Sequence, residues 1–145
     1  MPDPNVLTRI CAATLVLAAG PARAARAGSA GLLNEWSARA QELAAAAGMH
    51  PLRAPLTLAL VHLAAYDAVN AVAGGHAPYL AAPAVTRPAS AEAAAVEAAY
   101  RVLRAELPSQ APALDAARAA SLAAVAEPGR SRGTAVGAAA AAALL

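Results

Sequence analysis

Residues 58–70 read Leu58-Ala59-Leu60-Val61-His62-Leu63-Ala64-Ala65-Tyr66-Asp67-Ala68-Val69-Asn70, and Gly74-Gly75 closes the stretch. It is a long apolar run that carries four side chains with chemical possibilities. At about 100° per residue, His62, Tyr66 and Asn70 recur at i, i+4 and i+8 within an arc of about 80°, with Asp67 about 60° further round. The stretch therefore predicts a helix, apolar on most sides, with a polar stripe. Pro55 suits its first turn and the glycine pair suits its end, so the helix is expected over residues 55–73. Leu56, Leu60, Leu63, Val69 and Val72 surround it so widely that it is expected to be the central helix.

Outward from this stretch the chain reads as further helices separated by Pro and Gly. Upstream, Asn34 and Glu35 suit a helix start, and Gly48 with Pro51 suits a stop, which predicts a helix over residues 35–47 with Trp36 as its packing anchor. Residues 28–31 read as linker. Downstream, Pro78, Pro83 and Pro88 predict an extended connection. Ser90 then caps a third helix that Pro108 stops. Val96, Tyr100, Leu103 and Leu107 give it a buried face, and Glu97 with Arg101 forms an i,i+4 pair. A fourth helix is expected over residues 112–126, with Leu114, Leu122 and Val125 inward. A fifth opens at Ser131 or Thr134 and is still helical at Leu145, a pattern compatible with a natural terminus or a truncation. The expected class is all-α: about five helices forming an N-terminal helical layer or a partial bundle.

Composition narrows the function. Alanine fills 50 of the 145 positions and phenylalanine is absent, so helicity is locally strong while each helix gains little buried area. Lysine is also absent, and the net charge of +2 is scattered, which argues against a nucleic-acid partner. The single cysteine, Cys11, allows no internal disulfide. It lies in an apolar run over residues 10–20, after Arg9 and before the small residues Ala22-Arg23-Ala24 and Ala25-Arg26-Ala27. Residues 1–27 thus have the layout of a secretory signal peptide cleaved after Ala24 or Ala27, which predicts a secreted or periplasmic protein over residues 28–145. The run is too short to span a bilayer, and no membrane span is expected in the mature chain.

The constellations are weak as chemistry. His62 and Asp67 are about 140° apart around one helix, and His50 and His76 flank its opposite ends, so no metal site is expected. Ser37, Ser90, Ser109, Ser121 and Ser131 sit in no glycine elbow. His62, Tyr66, Asp67 and Asn70 are expected to be a structural polar network that ties neighbouring helices together, with acid–base chemistry by His62, Tyr66 and Asp67 as the remote alternative.

The 58–71 stretch, together with Tyr79-Leu80, Ala98-Ala99-Tyr100-Arg101-Val102-Leu103, Leu107-Pro108-Ser109-Gln110, Leu114-Asp115 and the earlier Asn34-Glu35-Trp36, resembles the N-terminal helical part of secreted bacterial vanadium-dependent haloperoxidases. These belong to the phosphatidic-acid-phosphatase-like superfamily. The resemblance runs from Leu33 to Leu145. It implies an all-α bundle, vanadate held as a phosphate analogue, and oxidation of halide by hydrogen peroxide; a phosphatase relative would form a phosphohistidine instead. The family holds the oxyanion with a lysine and an arginine ahead of a proline, a Ser-Gly-His segment, and a later arginine followed by a histidine. None of these carries over. There is no lysine, Arg87-Pro88 lies in a Pro-rich linker, Gly74-Gly75-His76 lacks the serine, and no histidine follows His76. The expectation is a scaffold segment, inactive alone and binding no vanadate itself. Its partners would be a missing C-terminal helical half or another copy, met through apolar helix faces. The alternative is a self-contained exported bundle acting as a binding or structural module.

Overall fold

The computed structural model describes the backbone of residues 21–145 and the side chains from Gly28 onward. The apolar run over residues 10–20, with Cys11, lies outside the described residues, as do the side chains around the expected cleavage sites. What is described is all-α: α1 (Pro21–Ala46), α2 (Arg53–Ala73), α3 (Ala91–Glu106), a 3-10 turn (Pro108–Gln110), α4 (Ala111–Ala123) and α5 (Gly129–Leu144), with no strand among the described residues.

Local chemistry accounts for most of the boundaries. Gly48 ends α1 with a φ of 64°, and the Met49 amide reaches back to the Ala44 carbonyl at 2.9 Å. The left-handed residue costs glycine little, and the six-to-one bond satisfies a carbonyl the helix would leave free. Gly74 ends α2, also at positive φ (71°) but with an extended ψ of −177°. Ser90 caps α3, its Oγ accepting the Ala93 amide at 3.0 Å. Leu107 and Pro108 stop it, and the chain turns tightly into α4.

Residues 28–31 are not a linker but part of α1. Ser29 is buried, and Gly28 lies so close to Glu92 of α3 that a methyl there would stand 2.7 Å from the Glu92 carboxyl oxygen. Packing against α3 thus accounts for helix through a glycine-bearing stretch whose local propensity is poor.

The central helix is α3, not α2. It contacts all four other helices, and ten of its residues are buried, among them Ala91, Ala93, Ala94, Ala98 and Ala99. The reason is close approach. Gly133 and Gly137 of α5 lie directly over α3, where an added methyl would fall well inside van der Waals contact distance of the Ser90 and Ala94 carbonyl oxygens. Alanine on one helix against glycine on the other lets two backbones meet with little side chain between them. The larger groups, Trp36, Leu103, Leu114, Val61, Val96 and Val102, fill the remaining space at under 2% exposure. Trp36 is a packing anchor, and its indole N–H donates to Ser121 Oγ of α4 at 3.3 Å.

By length and hydropathy α2 is apolar enough to cross a membrane. Here it is a wall of the bundle, packed on α1, α3 and α5, with Thr57, Asp67 and Asn70 buried and Leu56 exposed.

Candidate functional site

The polar stripe on α2 faces the bundle edge and the connection that follows. Asp67 is 4% exposed, and both of its oxygens are filled by backbone amides: Tyr79 at 2.6 Å on Oδ1, and Leu80 and Ala81 at 2.9 and 2.8 Å on Oδ2. Asn70 grips His76 from both sides, its Nδ2 donating to the His76 carbonyl at 2.7 Å and its Oδ1 accepting the His76 amide at 3.1 Å. Tyr66 donates its hydroxyl proton to the Ala77 carbonyl at 2.8 Å. Three of the four stripe residues therefore clasp residues 76–81 rather than a neighbouring helix. An extended, Pro-containing segment cannot satisfy its own amides, so side chains from α2 do so.

His62 stands apart from the other three. Its Nε2 lies 3.1 Å from Ser37 Oγ of α1, an approach the sequence did not signal because the two are 25 positions apart. A serine beside a histidine invites a nucleophile reading, but the proton inventory opposes it. Ser37 donates its hydroxyl proton to the Leu33 carbonyl at 2.7 Å, so His62 serves as donor to Ser37 rather than as its base. Among the described residues no carboxylate orients the other ring nitrogen, and both Asp67 oxygens are taken. The pair ties α1 to α2.

Between these two helices runs a groove of about 510 Å³, lined by Ser29, Leu33, His62, Tyr66, Val69 and His76 among others. Its floor is aliphatic, and the polar groups of Tyr66 and Asn70 on its wall are engaged by the 76–81 segment. It offers an apolar surface without an activated group.

The vanadate that the resemblance implies does not fit the residues present. Arg87 donates to the Val72 carbonyl at 3.0 Å, and the His76 backbone is held by Asn70, so the Arg87-Pro88 and Gly74-Gly75-His76 segments build no cationic cradle. No three His, Cys, Asp or Glu side chains converge on a possible metal position among the described residues.

Two groups gained importance only in three dimensions. Glu97, read from sequence as half of an i,i+4 pair, is 1% exposed and accepts from both Arg101 at 2.9 Å and Arg118 of α4. Glu127 lies ahead of α5 and accepts from Arg130 Nε and from the Ser131 hydroxyl, both at 2.8 Å, and from the Ser131 amide at 3.3 Å. The Arg130 bond first, then the Ser131 bonds, hold its carboxyl below the ordinary value of 4.5.

Comparison with protein-family models, with curated proteins and with solved structures gives no match to this chain. The fold and site define an all-α layer in which the polar stripe of an otherwise apolar helix, α2, holds a connection in place.

Proposed function

We propose that this chain is the N-terminal scaffold segment of a vanadium-dependent haloperoxidase-like protein, inactive by itself and exported through a signal peptide over residues 1–27. The observation that supports the reading best is the clasp. The stretch that carries the resemblance spends Tyr66, Asp67 and Asn70 on the backbone of residues 76–81 and His62 on Ser37, as befits a scaffold. The oxyanion-holding groups and their chemistry would come from helices outside these residues, seated on the apolar side chains that α2 and the connection leave exposed, Leu52, Leu56, Tyr79 and Leu80. Incubation of the purified chain with vanadate, bromide and hydrogen peroxide should brominate an acceptor no faster than vanadate alone. Robust turnover would sink the proposal.

One observation favours a second reading, a self-contained exported bundle that acts as a binding module. Among the described residues every buried side-chain nitrogen and oxygen has a hydrogen-bond partner. A bundle closed in this way should melt as a cooperative monomer, whereas a scaffold lacking its partner helices should melt broadly or self-associate.

A further inference from the structure

Arg101 and Arg104 of α3 and Arg118 of α4 line one concavity of about 580 Å³, with Tyr100, Ala105 and Leu145 beside them. Each guanidinium is anchored through Nε alone. Arg101 and Arg118 take the two oxygens of Glu97, and Arg104 takes Asp115 Oδ1 at 3.3 Å. Among the described residues none of the three has a protein acceptor for its terminal Nη groups, so the edges that grip oxyanions in pairs stay available.

The charge balance has a direction. Glu97 lines the concavity too, but its side chain is 2% exposed, whereas the three arginines are 54%, 41% and 35% exposed. Asp115 is half-exposed but is not among the lining residues. Solvent in the concavity therefore meets three cations, each paired through Nε with Glu97 or Asp115 and each keeping its Nη edge open, beside the terminal carboxylate that Leu145 carries in this chain. The Tyr100 ring lies 5.2 Å from Arg118 Cζ, and its hydroxyl donates to Asp115 at 2.8 Å, which gives the wall a fixed aromatic face. The volume falls within the roughly 300–1,000 Å³ of small-molecule sites, far more than a bare oxyanion fills.

We infer that this concavity binds a small organic anion whose carboxylate or phosphate head bridges the three guanidiniums while its apolar body lies against Tyr100, Ala105 and Leu145. The inference rests on the geometry of groups on α3, α4 and the end of α5 and does not require the haloperoxidase reading. Phenyl phosphate, benzoate, inorganic phosphate and phenol would each be titrated into the full chain at low salt, with backbone and arginine side-chain NMR shifts as the readout. Saturable shifts at Tyr100, Arg101, Arg104 and Arg118 are expected with phenyl phosphate or benzoate, and the tighter of the two identifies the head group. Inorganic phosphate should bind roughly tenfold more weakly and phenol not at all. Arg101→Gln with Arg104→Gln should weaken binding by at least about tenfold, and Arg104→Lys, which keeps the charge but not the fork, should fall between. Circular dichroism would check the fold of each variant. Absence of saturable shifts with both organic anions overturns the inference, as does phenol binding like the anions, or a folded double variant that binds as well as the parent. Equal affinity for inorganic and phenyl phosphate overturns the role of the apolar wall.

Discussion

Asp67 and Tyr79 are twelve positions apart, and the Tyr79 amide donates to Asp67 Oδ1 at 2.6 Å, the shortest of three amide bonds that a single buried carboxylate accepts. Replacing Asp67 with alanine leaves the amides of Tyr79, Leu80 and Ala81 to water and releases the segment. The expected loss is about 2–3 kcal/mol, because hydrogen bonds to a charged acceptor are the stronger kind, and Asp67→Asn should lose less. Hydrogen exchange at those three amides should accelerate ahead of global unfolding.

Glu97 pairs with two arginines of unequal exposure, Arg101 of its own helix at 54% and Arg118 at 35%, and the second joins α3 to α4. Either arginine alone keeps the buried carboxylate paired, so Arg101→Ala and Arg118→Ala should each cost roughly 1–2 kcal/mol, the latter more. The double variant strands a buried charge. Its cost should exceed the sum of the singles by about 1 kcal/mol or more in denaturant unfolding.

Gly137 and Gly31 make a matched pair of tests. A methyl at Gly137 collides with the Ala94 carbonyl and stands 2.9 Å from Glu97 Cβ, whereas a methyl at Gly31 meets nothing within 4 Å. Gly137→Ala should destabilise by about 1–3 kcal/mol through overpacking. Gly31→Ala should stabilise by about 0.5–1 kcal/mol through helix propensity. Thermal melts of the two variants should therefore shift in opposite directions.

The Glu127 carboxyl is held below 4.5 by Arg130 and Ser131. A group with a depressed folded value contributes stability above its unfolded value and loses it as pH falls through the folded one. The start of α5 should hence loosen on acidification below about 4.5, visible as broadening of the Ser131 amide resonance. Glu127→Gln should remove that pH dependence.

The functional readings rest on a stretch whose polar residues could be placed on one helix side from sequence but whose partners could not. Periodicity puts His62, Tyr66 and Asn70 on one face without saying what they face. Asp67 and Asn70 reach the residues that follow their own helix, a local return that the Pro-rich connection makes possible. Ser37 and Arg118 come from other helices, so neither the His62 contact nor the three-arginine concavity could be read along the chain. The run Tyr100-Arg101-Val102-Leu103-Arg104, with Asp115 and Arg118 one turn apart, was the sequence trace of that concavity.

By itself the sequence determined the all-α class and most helix boundaries, because Ser90, Gly48, Gly74 and Pro108 act within a few residues of where they stand. Only the tertiary structure decided which helix lies at the centre. Residues 58–70, richer in leucine and valine, had the stronger claim on area alone. Yet α3 is enclosed, because burial depends on how closely a neighbour can approach, and Gly133 and Gly137 bring α5 onto its alanines.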